Sequence, residues 1–241
     1  MTVVTISRQI GSHGEEIAAG VAQALGLRLV DAETINQAAE RAGVPEVALA
    51  EWKHEGERSL ANQVLKALRA MPSTVPFSVP STGQGKVSRA DASGLAIPFV
   101  GFFSPMAPPI SASLDSYVRM VDLVIRGLAH EGGVLIVGRG GQILLRNRPD
   151  ALHVQLVAPR AYRLRVLMDR YGLDKRAAQH RLRASDRARF DYLRRYHDAD
   201  WLDPTLYHLV LNTGRVPIST AIDLIVAAER SRTSEPDRSQ K

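Results

Sequence analysis

The amino-acid sequence predicts an α/β domain in which helices cover both faces of a parallel sheet. Short apolar runs rich in β-branched residues alternate with segments of helical periodicity along most of the 241-residue chain. Such alternation is typical of strand–helix–strand units with parallel strands. The run Val134–Val137 is apolar throughout, as expected for a strand that is buried on both faces. Ligands of such sheets bind beyond the carboxyl ends of the strands, so we expect the site there.

The first strand is predicted at residues 3–6 and leads through a glycine loop into a helix. Apolar residues recur every fourth position from Ile17, and Gly26 is placed to end that helix. A second short strand follows at residues 27–31. The loops after the strands that end at Ile6, Val30 and Val137 are expected to meet at one edge of the sheet.

The second half of the chain continues the alternation. Its predicted elements are a helix over 114–130, strands over 134–137 and 152–157, helices over 160–171 and 174–196, a strand over 207–212 and a helix over 218–229. The polar residues that follow, 230–241, are predicted to be a disordered tail.

The central part of the chain departs from this regularity. Residues 33–70 have a helical composition with a turn at 43–45, whereas residues 71–113 hold seven of the 13 prolines. A long stretch of this kind inside a domain is usually a lid, a binding loop or a disordered segment. Its apolar run over 95–110 favours either a homodimer contact or a flap that packs on the body.

The composition excludes several classes of protein. Hydrophobic residues make up 45% and charged residues 23% of the chain, as in soluble proteins with a core. The absence of cysteine excludes disulfides, cysteine-ligated metals and a cysteine nucleophile. No uninterrupted apolar run of about 18 residues occurs, and the N-terminus lacks the pattern of a signal peptide. We therefore expect a cytoplasmic protein without a membrane span.

The net charge of +6 is concentrated in residues 160–195, which hold twelve basic and four acidic side chains. An excess of this kind favours an anionic partner. Two interpretations remain open, a pair of solvated helices and a focused site for phosphate groups. Nucleic-acid binding is not favoured, because no helix-turn-helix, RRM or OB pattern accompanies the arginines.

A glycine loop, Gly-Ser-His-Gly at residues 11–14, joins the first strand to the first helix. Such a loop directs backbone N–H groups at one point, and the helix dipole adds partial positive charge there. Glycine allows the backbone to approach a ligand closely. The loop therefore suits a phosphate group, although a tight turn without a ligand is an equal interpretation.

The sequence around this loop, Ile-Ser-Arg-Gln-Ile-Gly-Ser-His-Gly-Glu-Glu-Ile-Ala at residues 6–18, resembles the opening of the cytidylate kinase-like family. Proteins of this family are relatives of the P-loop nucleoside-monophosphate kinases. Further blocks agree in order, at residues 29–31, 137–141, 153–154, 186–189, 200–204 and 211–215.

The resemblance implies the P-loop nucleoside-kinase fold, with a five-stranded parallel sheet, helices on both faces, an insert and an arginine-rich lid. It implies a single domain over 1–229, in which 45–113 is a divergent insert and 172–204 is the lid region.

The loop differs from the standard P-loop, G-x-x-x-x-G-K-[ST], whose lysine binds the β- and γ-phosphates. In the resemblance, His13 takes the place of the second glycine and Gly14 that of the lysine. Glu15 and Glu16 stand where small or hydroxyl residues are usual. At about 6 Å and an effective dielectric near 20, each glutamate–phosphate pair would cost roughly 3 kcal/mol. Arg8 is the nearest cation that could compensate.

The resemblance implies roles for individual residues of the two sites. The predicted nucleotide-binding residues of the loop are Gly11, Ser12, His13 and Gly14. The predicted acceptor-binding residues are Asp31, Gly138, Arg139 and Gly140. Asp31 is also suited to cap the following helix, and Arg139 to a structural ion pair. As an acceptor contact, the Arg139 guanidinium would bind phosphate in a bidentate manner.

The lid segment carries the remaining candidates. Asp186 and Arg189 resemble the Asp and Arg of the cytidylate kinase lid and share a helix face, as do Arg183 and Arg187. Arginines of a lid can stabilise the negative charge of a phosphoryl group in transfer. We predict Arg8, Asp186 and Arg189 as catalytic residues and Arg183 and Arg187 as further nucleotide-binding residues.

Together these expectations indicate ATP-dependent phosphorylation of a nucleoside monophosphate, CMP or dCMP, with Mg²⁺ arriving with the ATP. The missing lysine leaves an alternative open, a nucleotide-binding protein with little or no kinase activity that acts as a sensor or regulatory module. The histidines and carboxylates show no metal-binding spacing, so no separate metal site is predicted. The acceptor is not defined by the sequence, because residues 45–113 are too divergent.

Overall fold

The computed structural model describes residues 2–35 and 111–234. The predictions for the helical stretch from residue 36, for the proline-rich segment up to residue 110 and for the end of the tail lie outside these ranges.

Within the described residues, five strands form one parallel sheet in the order β2-β3-β1-β4-β5. The strands are β1 Val3–Arg8, β2 Arg28–Val30, β3 Val134–Val137, β4 Ala151–Val157 and β5 Leu209–Asn212. The predicted fold class is confirmed. Because β1 is the central strand, the loop that follows it lies in the middle of the carboxyl edge.

The described residues also form helices α1 Gly14–Leu25, α2 Ser111–Glu131, α3 Gly141–Leu144, α4 Arg160–Tyr171, α5 Lys175–His197 and α6 Ile218–Ser234. Gly26 ends α1 in the left-handed conformation, as predicted. No helix in the two described ranges combines the length and the apolar character needed to cross a bilayer.

Apolar side chains bury both faces of the sheet. Val4 and Ile6 of β1 pack in a cluster with residues of α1 and α6, whereas Val3 packs with residues of α2. The β3 run Val134–Val137 divides between the same two clusters, because successive side chains of a strand point to opposite faces. Its continuous apolar character follows from this two-sided burial.

The C-terminal helix is longer than predicted, because α6 continues to Ser234. The first residues of the predicted tail are therefore helical. Arg232 explains part of the extension, since its Nη2 atom donates to the carbonyls of Pro149 and Ala151 at 2.8 and 2.9 Å. The polar composition of residues 230–234 therefore does not indicate disorder, because Arg232 attaches the end of the helix to the start of β4.

Candidate active site

Two neighbouring cavities open at the carboxyl edge of the sheet. Cavity A is lined by residues that include Ser7, Arg139, Gln142, Tyr192 and Trp201. Cavity B is lined by residues that include Gly11, His13, Glu15, Arg170, Tyr171 and Arg181. Arg8 and Arg189 line both cavities. The two spaces therefore share a wall that carries two guanidinium groups.

The glycine loop is shaped by close packing against α4. Gly11 has φ +77°, and a Cβ atom there would lie 2.7 Å from the Arg163 carbonyl oxygen. Ser12 turns inward, because its amide and hydroxyl both donate to the Gln9 carbonyl at 3.2 and 2.7 Å. His13 has φ 56° and precedes α1 without a side-chain cap. The loop thus requires glycine at position 11, and Ser12 serves its internal geometry.

The side chain of Arg8 occupies the space beside Gly14. A Cβ atom on Gly14 would lie 2.4 Å from Arg8 Cγ, so a longer side chain cannot be accommodated without moving Arg8. The guanidinium extends towards the β3–α3 loop, where Nη1 lies 3.2 Å from a Cβ placed on Gly138. Arg8 Nε also donates to Glu15 Oε1 at 3.3 Å. Arg8 therefore places a cation at the centre of the site.

Arg189 brings a second cation to the same wall from α5. Its Nη1 atom donates to the Ser185 carbonyl at 3.2 Å and also to the Ser185 hydroxyl, and its guanidinium lies 6.0 Å from the centre of the Trp201 ring. Burial, followed by repulsion from Arg8, lowers the pKa of Arg189 to about 10. Arg189 stays protonated at neutral pH because this pKa is well above 7.

Arg139 completes the cationic lining of cavity A from a strained loop. It is buried and has φ 56°, and its neighbours Gly138 and Gly140 have φ 75° and 70°. A Cβ atom on Gly140 would lie 2.8 Å from His197 Nε2, so glycine is required there as well. Arg139 and His13 are two of the three non-glycine residues in the described ranges with positive φ. Strain of this kind is often found at functional sites.

Asp31 serves as the cap of the helical turn that follows β2. Its Oδ1 atom accepts from the amide and the hydroxyl of Thr34 at 2.8 and 2.7 Å. The capping interpretation is thus confirmed. The next residue, Ala32, lines cavity A, whereas Asp31 does not, so a contact with the acceptor stays a prediction.

Asp186 lies in the joint between α4 and α5. Both of its carboxylate oxygens accept from Arg163, at 2.9 Å each, in a bidentate pair. Arg163 is buried, and its carbonyl contacts the position of Gly11 described above. Asp186 lines neither cavity. The geometry favours a positioning role for this carboxylate, because it supports the glycine loop through Arg163.

Arg183 and Arg187 lie on the exposed side of α5. The opposite side of this helix packs Leu182, Ser185 and Ala188 against the body. Arg187 Nε pairs with Asp191 at 3.1 Å, and neither arginine lines a cavity. The prediction that these two residues bind nucleotide gains no support from this arrangement.

A polar network beneath cavity A was not predicted. Tyr207 donates its hydroxyl to the Trp201 carbonyl at 2.8 Å and accepts from Gln142 at 3.2 Å, while Gln155 donates to the same carbonyl at 2.5 Å. Burial raises the pKa of Tyr207 to about 12. The network fixes Gln142 and Trp201 on the cavity wall. Its members are distant in sequence, and only Trp201 lies in a block of the resemblance.

Cavity B contains further residues that sequence reasoning passed over. The Arg181 guanidinium lies 4.1 Å from the centre of the Tyr171 ring, in a cation–π contact, and Arg170 lines the same cavity. The sequence feature that could have indicated these residues was the concentration of basic side chains in residues 160–195. These arginines lie on two helices, α4 and α5, that face the glycine loop.

Within the part of the chain that the structure describes, the side chains form no metal-binding cluster. No group of three or more histidine, aspartate or glutamate side chains is arranged to hold a metal in residues 2–35 and 111–234. Glu15 is the carboxylate lining cavity B in these ranges, and it is paired with Arg8.

The parallel sheet, the glycine loop after β1 and the arginine-lined cavities define a nucleoside-kinase-like α/β protein. The sequence model of the cytidylate kinase-like family matches residues 3–215. The chain belongs to this family, and this membership indicates a function of the nucleotide-kinase type.

Comparison with solved structures supports the fold. An uncharacterized protein from Eubacterium ventriosum superposes with a TM-score of 0.59 at 16% identity, over 96% of this chain and 99% of that one. The protein TT1252 from Thermus thermophilus reaches a TM-score of 0.42 at 18% identity, over 94% of this chain and 97% of that one. The first likeness extends to the fold alone, and the second carries no argument.

A local sequence similarity involves a different kind of protein. A uronate isomerase from Corynebacterium glutamicum is 30% identical over 96 residues, which are 40% of this chain and 18% of the isomerase. The chain thus spans less than a fifth of that relative's length.

Proposed function

We propose that the protein transfers the γ-phosphoryl group of ATP to a nucleoside monophosphate, CMP or dCMP, through a loop in which Arg8 replaces the P-loop lysine. One observation carries this proposal: Arg8 and Arg189 form a wall shared by two cavities. Phosphoryl transfer requires a donor and an acceptor that meet in line, with cations at the point of contact. Two adjacent cavities joined by two guanidinium groups meet that requirement.

In this proposal cavity B binds the triphosphate and cavity A binds the acceptor. Gly11 and His13 of the glycine loop line cavity B together with arginines of α4 and α5, and this lining suits a chain of phosphates. Arg139 lines cavity A and can hold the acceptor phosphate in a bidentate manner. The apolar wall of cavity A, with Tyr192, Leu193 and Trp201, would limit access of water to the transferred group.

In the transfer step, an oxygen of the acceptor phosphate forms a bond to the γ-phosphorus as the bond to the bridging oxygen of ADP breaks. Arg8 and Arg189 would neutralise the negative charge on the γ-oxygens. The Asp186–Arg163 pair would keep the glycine loop and α5 in a fixed position relative to each other. Magnesium would enter with the ATP and neutralise part of the phosphate charge. Arg183 and Arg187 have no part in this step.

The alternative is a nucleotide-binding protein with little or no kinase activity. One observation favours it, the glutamate carboxylate that lies in cavity B beside Arg8. A negative charge at that place weakens binding of ATP.

An assay of ADP release with ATP, Mg²⁺ and a panel of nucleoside monophosphates tests the proposal. We expect release that depends on the acceptor and is greatest with CMP or dCMP. Arg189→Ala should lower the rate about a hundredfold or more, because removing a charge-stabilising donor typically costs that much. Arg194→Ala is the matched control, since Arg194 is an exposed residue of the same helix and lines neither cavity.

The two candidate functions give different results in this assay. Binding of ATP without acceptor-dependent ADP release would support the alternative and contradict the kinase proposal. Equal activity of the Arg189→Ala and Arg194→Ala variants would contradict the role of the shared wall.

A further inference from the structure

The carboxylate of Glu15 lies among the cationic groups of cavity B. Arg8, Arg170, Arg181 and Arg189 line the same cavity, and Arg8 Nε donates to Glu15 Oε1 at 3.3 Å. Burial alone would raise the pKa of Glu15, but Arg8, the main-chain amide of Glu15 itself, Arg189 and Arg170 together hold it below its usual value. Glu15 is therefore ionised at neutral pH.

The partners of this carboxylate are those that proteins use to bind phosphate. Guanidinium groups and an amide of the first helical turn are both present, because Glu15 is the second residue of α1. The Glu15 carboxylate contacts Arg8 directly and shares cavity B with the other guanidinium groups, so it lies where these groups would attract an anionic ligand. Its charge also reduces the mutual repulsion of the arginines that line cavity B.

We propose that Glu15 sets the charge selectivity of cavity B: its carboxylate holds the place of one phosphate group, and a polyphosphate binds only by displacing it. This inference rests on the proposed function, because it takes cavity B as the site of the phosphate donor. The cost of displacement lowers the affinity of the wild-type protein for polyphosphates. Neutralising Glu15 removes that cost and leaves the arginines for the ligand.

Glu16 provides a matched control in the same turn of α1. Its side chain is more exposed than that of Glu15, at 55% against 41%, and its Oε2 atom lies 3.3 Å from His13 Nδ1. Glu16 lines neither cavity. Replacing either glutamate by glutamine removes the same charge from the N-terminus of the helix. A difference in affinity between the two variants therefore reports competition between the Glu15 carboxylate and a phosphate group for cavity B.

The test is calorimetric titration of inorganic tripolyphosphate, and separately of ADP, into wild-type protein, Glu15→Gln and Glu16→Gln at constant ionic strength. We expect Glu15→Gln to bind each of these ligands at least about tenfold more tightly than the wild type does. This gain in affinity is smaller than an unscreened charge pair would give, because water and salt screen the interaction. Glu16→Gln should stay within about threefold of wild type because its charge is farther from the ligand and screened.

The outcomes separate the inference from the function on which it rests. If tripolyphosphate binds the wild type and Glu15→Gln binds it no more tightly than Glu16→Gln does, the inference is overturned while the proposed function stands. If neither ligand binds any of the three proteins, the proposed function itself fails.

A second variant, Glu15→Ser, guards against loss of folding through repulsion among the arginines. Serine is short and neutral, and phosphate in the purification buffer supplies the missing negative charge until dialysis. Its affinity for tripolyphosphate should rise as in Glu15→Gln. A fall in affinity in both folded variants would instead make Glu15 a positioning residue for Arg8 and contradict the inference.

Discussion

The Arg8 side chain passes so close to Gly14 that its Cγ lies 2.4 Å from where a Cβ atom of residue 14 would be. With Arg8 in this position, a side chain larger than that of glycine does not fit at residue 14. The two residues are six positions apart, and the strand-to-helix turn brings them together. Arg8, the last residue of β1, thus places a cation beside the loop.

Introducing a lysine at residue 14 is therefore expected to harm the protein. Gly14→Lys would displace Arg8, and overpacking of this kind costs about 1–3 kcal/mol of unfolding free energy. Urea unfolding and ADP release from the same preparation would measure both effects. A stable Gly14→Lys variant with raised activity would show that Arg8 does not take the place of the lysine.

The left-handed backbone of Arg139 offers a second test at the level of one residue. Its φ of 56° is unfavourable for an L-residue with a Cβ atom and favourable for glycine. Arg139→Gly should therefore be more stable than Arg139→Ala by about 1 kcal/mol, although both lose the guanidinium. Equal unfolding free energies for the two variants would contradict the claim that the backbone at residue 139 is strained.

Sequence reasoning identified those cavity-lining residues that have a recognisable pattern of neighbours along the chain. Arg139 lies between glycines, and Arg8 and Arg189 lie in blocks that resemble the family. It did not find Gln142 or Tyr207, because their hydrogen bond joins residues 65 positions apart. Contacts between residues so far apart depend on the order of the strands in the sheet, and short sequence patterns do not predict that order.

At the level of elements, the ion pair between Arg163 and Asp186 joins α4 to α5 and supports the glycine loop. Asp186→Asn leaves the guanidinium of a buried arginine without its carboxylate, which should cost about 3 kcal/mol or more of unfolding free energy. Chemical denaturation of wild type and variant measures this loss.

The double variant Arg163→Met/Asp186→Leu is the control for that experiment. It removes both charges, and an apolar pair of similar volume should recover most of the stability. If the single and double variants lose the same free energy, the pair does not act as a unit in this joint.

Elements with strong periodicity or continuous burial were predictable, whereas short or locally ambiguous ones were not. The strand Val134–Val137 has the predicted bounds, because burial on both faces requires an apolar residue at every position. Helix α3 has four residues, too few to show a helical period. The extension of α6 depends on contacts of Arg232 with a distant loop.

For the molecule as a whole, three partly or fully buried histidines predict a dependence of stability on pH. Burial, followed by repulsion from His208, lowers the pKa of His153 to about 4, and burial also lowers the pKa of His197 and His208. In the unfolded chain a histidine titrates near a pKa of about 6.5. Between about pH 6.5 and 4 the unfolded state therefore binds more protons, and the free energy of unfolding falls as the pH falls.

His153→Gln tests the largest of these contributions. Over the whole window His153 accounts for up to roughly 3 kcal/mol, so urea unfolding between about pH 7 and 5 should become less dependent on pH in the variant. His180→Gln, at an exposed position on α5, should keep the wild-type slope. The same slope in both variants would contradict a buried neutral imidazole at residue 153.

Under the proposed function, a ligand that joins adenosine and cytidine through five phosphates would occupy both cavities and pass the wall of Arg8 and Arg189. We predict that it binds about a hundredfold or more tightly than ADP or CMP alone, because joining two ligands makes the second binding event intramolecular. Arg8→Ala and Arg189→Ala should abolish that advantage, whereas Arg194→Ala should keep it. Binding of the joined ligand no tighter than that of ADP would show that the two cavities do not form one path for phosphoryl transfer.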